Sequence, residues 1–308
     1  MKILSKINPV RNRLMMITGC ILLAAGSYAQ DAEKPEEAPA AKKTYVNGTF
    51  ASNLIIDNQT VMVPVKKTFE FTIQHRFGIV NNGYADMYGI FAPANIRLGW
   101  NYTPIQNLQF GIGACKDKMQ WDGNVKYAFL RQSAKGGSPV SITYYGDMAI
   151  STIPKKGNFV NDADRISYFS QIIIARKITK KFSAQVSPSL SYFNNIAGYM
   201  ASDGTIQPRM NNAHLAIAFM GRYKLTEGMS FMLNYDQPLT QHTTDNPHPN
   251  VSFGLEMNTI AHTFQMFFGS YQGIIPQQNN VFNQNDISKG QFMFGFNISR
   301  RWYHDSED

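Results

Sequence analysis

Eight charged residues pose a chemical question, because each lies in a stretch where apolar and polar side chains alternate. They are Glu70, Arg76, Arg97, Lys126, Asp147, Arg222, Asp236 and Glu256. In TFEFTIQHRFGI (68–79), Phe69, Phe71, Ile73, Phe77 and Ile79 share one parity, and Glu70, Thr72, Gln74 and Arg76 share the other. A period of two is that of a β-strand with one greasy and one polar face. Four cations and four acids enclosed behind such faces need partners. They can form a ladder that braces a filled interior, or line a polar passage that selects solutes by charge.

Other residues with chemical potential are more isolated. His75 falls on the greasy parity, where an imidazole is unwelcome unless it lies near a membrane interface or a β-bulge turns it inward. A lipid-facing histidine could serve a phospholipase. That chemistry needs a nucleophilic serine and an orienting group beside it, and Ser170 lies five strands away. No G-x-S-x-G elbow, phosphate loop or EF-hand loop occurs. In QHTTDNPHPN (241–250), His242, Asp245 and His248 could converge on a metal, but their loose spacing favours a solvated loop. Cys115 shares the polar parity with Gly111 and Gly113, without an identified base to activate it. Those glycines, with Gly295, read as space for bulky interior neighbours. No catalytic residue, metal or cofactor is expected.

The elements that position these residues repeat one pattern. Alternation recurs around Ile96–Tyr102, Leu108–Ala114, Val125–Phe129, Val140–Met148, Ile166–Ile174, Phe182–Tyr192, Leu215–Leu225, Phe231–Tyr235, Val251–Met257, Phe264–Phe268 and Phe292–Ile298. With 68–79 this makes twelve segments, each near the length a tilted membrane strand needs. The sixth, Ile166–Ile174, is the noisiest. No sustained helical periodicity follows residue 30, and no apolar run there is long enough for a membrane helix.

Connections alternate long and short: 81–94 then 104–107, 151–164 then 178–181, 194–212 then 226–228, 237–250 then 259–261, and finally 270–290. Only the second successive pair, 116–123 and 132–139, does not alternate, its two members being of equal length. Tight turns at one end and long loops at the other belong to an outer-membrane barrel rather than a soluble sandwich. The greasy face then meets lipid, because only a closed barrel pairs every backbone group there. Tyr102, Tyr144, Tyr192, Tyr223, Tyr235 and Trp302, near strand ends, suit the membrane–water boundary.

The ends agree with export. Basic residues, the apolar run Leu14–Ala25 and Ser27-Tyr28-Ala29 make residues 1–29 a secretory signal. A lipoprotein box at Ile17–Cys20 competes, but cleavage there would leave only Leu14–Met16 as apolar core and strand Ile21–Leu23 on the mature chain. Without residues 1–29, four basic groups are lost and the net charge falls from +8 to +4, which gives no patch for nucleic acid. Cys115 is then the sole cysteine, so no internal disulfide is possible. Charged residues are 16%, against about 25% in ordinary globular chains.

The stretches QHRFG (74–78), APANIRLGWNYTPIQNLQFGIGACKDK (92–118), VKYAFLRQ (125–132) and FSQIIIARKITKKFSAQVSPSL (169–190) resemble an uncharacterised family of membrane-bound β-barrel proteins of Bacteroidetes-type bacteria. The resemblance covers most of 50–300 and implies an outer-membrane barrel. It implies no activity and carries no catalytic residues.

The chain is therefore expected to be all-β: a single antiparallel transmembrane barrel of about twelve strands over 68–303. A signal (1–29), a flexible linker (30–49), a periplasmic or lumen-plugging segment (50–67) and a periplasmic tail (304–308) complete it. The expected function is a channel or transporter for small polar solutes in the bacterial outer membrane, reached through the Sec pathway and the barrel-assembly machinery. Two alternatives stand beside it: a closed structural or interaction barrel presenting its external loops, and a barrel enzyme such as a phospholipase.

Overall fold

The computed structural model describes residues 44–304. The signal, residues 30–43 of the linker and residues 305–308 of the tail lie outside the described residues.

Two short strands, β1 (Leu54–Ile55) and β2 (Asn58–Gln59), form a small hairpin. The barrel follows: β3 (Thr68–Ile79), β4 (Asn95–Ile105), β5 (Leu108–Cys115), β6 (Gln120–Leu130), β7 (Ser141–Ser151), β8 (Ile166–Lys177) and β9 (Phe182–Phe193). Another small hairpin, β10 (Gly198–Met200) and β11 (Ile206–Pro208), decorates a loop. The wall resumes with β12 (Ala213–Lys224), β13 (Met229–Pro238), β14 (Asn250–Asn258), β15 (His262–Gly269) and β16 (Met293–Tyr303). Each wall strand pairs antiparallel with both neighbours, and β16 closes on β3, giving the twelve-stranded barrel that the alternation predicts.

The parity carries through to the faces. Phe110, Phe219, Phe231, Phe253 and Phe264 are exposed on the outside, while Glu70, Arg76, Lys126 and Glu256 are buried inside. An apolar outer wall with no free strand edge suits the hydrocarbon of a bilayer. Aromatic residues gather at both rims. By strand direction, Tyr102, Tyr144, Tyr223 and Trp302 lie toward the end that carries the termini, and Tyr192 and Tyr235 toward the other. Tyr168, unclaimed from sequence, stands 6.4 Å from Tyr192 in ring centroids.

One pair of connections departs from expectation. Residues 116–119 make a four-residue turn at the loop end, and 131–140 make a ten-residue connection at the terminal end. The reason is a partner for the longer one. Tyr45 bridges Ser133, Val46 N–H donates to Gln132 O at 2.8 Å, and Ala134 N–H donates to Thr44 O at 2.8 Å. Residues 44–49, grouped with the linker by composition, are thus clipped to this connection.

Candidate functional site

The lumen is occupied. From 50 to 61 the chain runs inside the wall, with Phe50, Ile55, Ile56 and Val61 packed on Tyr145, Phe169, Ile173, Met220, Met232 and Phe267. These last six sit on the lumen parity of their strands. They explain the noisy sixth segment: Phe169 and Ile173 of β8 face inward because they meet the plug.

The hairpin turn is held by the wall. Ile56 adopts φ +53°, which is costly for a β-branched residue, by about 1–3 kcal/mol. Its N–H donates to Gln265 Oε1 at 3.2 Å, and its carbonyl accepts from Asn297 at 2.8 Å and Arg76 at 3.3 Å. Further along, Gln185 donates to Gln59 O at 2.8 Å and Thr143 to Val61 O at 3.0 Å.

The eight charges predicted for the interior all lie there, but they do not form the expected ladder among themselves. Only Arg222 and Glu256 pair directly, at 2.8 Å. Arg97 grips Asp122 with two bonds, Nε to Oδ1 at 2.8 Å and Nη2 to Oδ2 at 2.5 Å. Glu70 accepts from Arg301 at 2.6 Å and from Asn53 at 2.9 Å. Arg76 pairs with Asp57 of the plug at 2.8 Å. Lys126 has no carboxylate partner among the described residues; its ammonium donates to Asn53 O at 3.0 Å and Gln59 Oε1 at 3.2 Å. Asp236 accepts only amide donors, from Asn58, Asn234 and Asn250. Asp147 accepts from Tyr145 and, at 2.6 Å, from Gln277.

Sequence reasoning therefore missed Asp57, Asp122 and Arg301. The last two were reachable, since each lies on the polar parity of its strand, two residues from Asn124 and Ser299 respectively. Asp57 carries no such signal, because β1 and β2 are too short to show a period.

The glycines make the room expected of them. A Cβ on Gly113 or Gly99 would strike the Arg97 guanidinium, and one on Gly295 would strike the Phe267 ring. Arg97 and Phe267 can lie flat along the wall only where these side chains are missing.

The last long loop enters from the opposite mouth. Its short helix α1 (Pro276–Asn279) is buried, and Ile274 and Ile275 pack on Cys115 and Ala149. Between plug and loop lies a gap of only about 20 Å³. At the terminal end a cavity of about 540 Å³ opens beneath the plug, lined by Val61, Met62, Val65, Leu130 and Ile260, with Arg131 and Arg301.

The remaining candidates do not assemble. His75 points outward, its ring stacked on Phe296 at 5.0 Å and near Phe77 at 4.4 Å. The nearby register shift, at Phe77 and Gly78 opposite Phe294, leaves it outside. Ser170 bonds Tyr144 on the outer face, five strands round from β3. In the 239–249 loop, Asp245 pairs with Arg209 at 2.6 Å, His242 stacks edge-on with His214 at 4.9 Å, and the His248 backbone bonds Asn283. Burial, and then the nearby Arg209, hold the His242 imidazole below its ordinary pKa. Among the described residues no three groups gather as metal ligands. Cys115 is buried, with its thiol 3.4 Å from Asn95 Oδ1.

No curated protein sequence matches the chain. Among solved structures it is similar to the NanC porin, with 11% identity, 77% of this chain and 100% of that one covered, and TM-score 0.45. It is similar also to an outer membrane channel from Pseudomonas putida F1, with 13% identity, 78% and 97% covered, and TM-score 0.45. For the KdgM porin the values are 9% identity, 77% and 99% covered, and TM-score 0.42. Residues 50–302, the plug and the whole barrel together, match one family, and the chain belongs to it: the membrane bound beta barrel domain family DUF5777.

Proposed function

We propose that this outer-membrane barrel is a passage for small polar solutes, closed by its own N-terminal hairpin and opened when that hairpin withdraws toward the periplasm. One observation carries the reading. Of the four arginine–carboxylate pairs with a buried carboxylate among the described residues, three join wall to wall: Arg97–Asp122, Arg222–Glu256 and Arg301–Glu70. Only Arg76–Asp57 joins wall to plug. Withdrawing the plug thus breaks a single ion pair, and its other polar contacts are hydrogen bonds that entering water can replace. The wall keeps its own bracing and presents a polar interior.

A second reading is a permanently closed barrel that displays its long loops. It is favoured by the apolar cluster between plug and wall, which an open pore would expose to water. Planar-bilayer recording separates the two. The full chain should be mostly silent, and deletion of 44–61 should give steady conductance. A deleted barrel that still migrates as folded on heat-modifiability gels, yet stays silent across voltages, would sink the passage and leave the closed barrel.

A further inference from the structure

The contacts of the hairpin tip describe a ligand. Asp57 offers a carboxylate: Oδ1 accepts from Arg76 Nη2 at 2.8 Å, and Oδ2 accepts from Asn250 and Ser252, each at 3.3 Å. Asn58 offers an N–H donor group, which reaches Asp236 Oδ1 at 2.6 Å and Asn234 Oδ1 at 3.0 Å. Asn250 joins the two halves, since its side-chain nitrogen also donates to Asp236 Oδ2 at 3.2 Å. The wall thus holds donors for a carboxylate directly beside acceptors for a nitrogen donor. All five wall residues are buried, Arg76 and Ser252 at 0% exposure.

These groups are positioned without the plug. The Arg76 guanidinium lies 4.5 Å over the Phe267 ring and donates through Nη1 to Asn297 at 2.9 Å and to the His75 carbonyl at 3.0 Å. Asn234 donates to Asp236 at 2.8 Å.

The plug fits this subsite incompletely. Arg97 uses its Nε–Nη2 edge to grip both oxygens of Asp122, the strong fork geometry for a carboxylate. Arg76 engages Asp57 through Nη2 alone, and its buried Nε has no partner among the described residues. The second mismatch is one of charge. Asn58 sets a neutral amide against Asp236, which forms no ion pair among the described residues. A carboxylate free of the chain could engage both nitrogens of Arg76, and an ammonium could supply the charge Asp236 lacks.

We infer that the withdrawn hairpin uncovers a subsite for a small zwitterion. Arg76, Asn250 and Ser252 take its carboxylate; Asp236 and Asn234 take its ammonium. The matching solutes carry the two groups a few bonds apart, as free amino acids do. Asp57 and Asn58 occupy the subsite as an internal surrogate, so solute and plug compete for it. A plain anion would leave Asp236 unneutralised, and a plain amine would leave Arg76 so. The inference names a substrate class for the passage proposed above and rests on that reading.

The test uses the full chain with Asp57→Ala and Asn58→Ala, which empties the subsite, and follows thermal unfolding with glycine, acetate or methylammonium as probes. Glycine should raise the unfolding temperature, and acetate and methylammonium at equal concentration should not. Adding Asp236→Asn should abolish the advantage of glycine over acetate. Adding Arg76→Gln should raise the half-saturating glycine concentration about tenfold or more, as loss of a charge-assisted hydrogen bond does. Acetate acting as strongly as glycine, or no probe acting at all, would overturn the inference. So would an Arg76→Gln variant with an unchanged glycine response, and the Asp236→Asn arm stands if that variant does not fold. The readout is independent of conductance. Glycine binding by a barrel that never conducts would therefore sink the passage and uphold the subsite.

Discussion

Two segments fill one lumen, and they are held differently. The N-terminal hairpin bonds to side chains of the wall: Arg76, Lys126, Glu70, Gln265, Asn297 and Asp236 all address it. The 270–292 loop bonds largely to its own rim. Gln272 donates to the carbonyls of Phe77 and Pro93, Asn283 to those of His248 and Pro249, and Asn285 to that of Ser270. The loop is also continuous with the wall at both ends, through β15 and β16, whereas the hairpin is continuous with it only through 60–67, its other side being hydrogen-bonded through 44–49 to the 131–140 connection. The loop is bonded as part of the mouth, and under the function proposed above the hairpin is the part that the wall releases.

That contrast can be broken at several points. Asp122→Ala strikes the wall itself and leaves Arg97 buried without a counter-charge beside Gly99 and Gly113. The expected loss is about 3–5 kcal/mol of barrel stability, measured by urea unfolding in detergent. A loss under about 1 kcal/mol would mean that this interior is already screened by water. Asp57→Asn strikes the hairpin and should weaken its hold by about 1.5–3 kcal/mol while barrel unfolding barely moves. Maleimide labelling of a cysteine placed at Thr60, with Cys115→Ala, should quicken accordingly. Equal labelling rates with and without Asp57→Asn would show the hairpin to be as fixed as the loop.

Gln277→Ala removes the loop's bond to Asp147 and should cost about 1 kcal/mol, with protease nicking confined to 270–292. Release of the hairpin by this change would erase the distinction between the two segments. Smallest of all, His75→Ala removes an outward ring that stacks on Phe296, for about 0.5–1.5 kcal/mol. Conductance of the plug-deleted barrel should not change. If the protein hydrolysed phospholipid and this substitution abolished it, the enzymatic alternative would replace the passage.

The wall was legible in the sequence because a strand buried on one face and set in lipid on the other must alternate at every position. Glu70, Arg76 and Lys126 declare their side by their neighbours alone. The hairpin was only partly legible: 50–67 read as a lumen plug or a periplasmic segment, but Leu54–Gln59 pairs over too few residues to show a period and its turn relies on the barrel to hold Ile56. Its imprint was present all the same. Tyr145, Phe169, Ile173, Met220, Met232 and Phe267 sit on the polar parity, where a water-filled pore would have no use for them. Apolar residues on the wrong face map what the barrel contains. Ion-pair partners were the least legible feature, since Arg97–Asp122 depends on cross-strand geometry rather than on spacing along the chain.

The place where the hairpin touches the wall bears on how the cylinder comes to be closed. Joining β16 to β3 brings together residues 214 to 235 positions apart, a loop-closure cost of about 5 kcal/mol. The Ile56 carbonyl accepts from Arg76 on β3 and from Asn297 on β16, and Arg301 on β16 reaches both Glu70 on β3 and the Ala51 carbonyl. The hairpin directly precedes the first strand, so the two can associate before the seam closes. It offers the arriving β16 a ready set of hydrogen-bond partners at the seam. The segment that closes the finished barrel is then also a template for its assembly, and refolding without it should slow at the final pairing step.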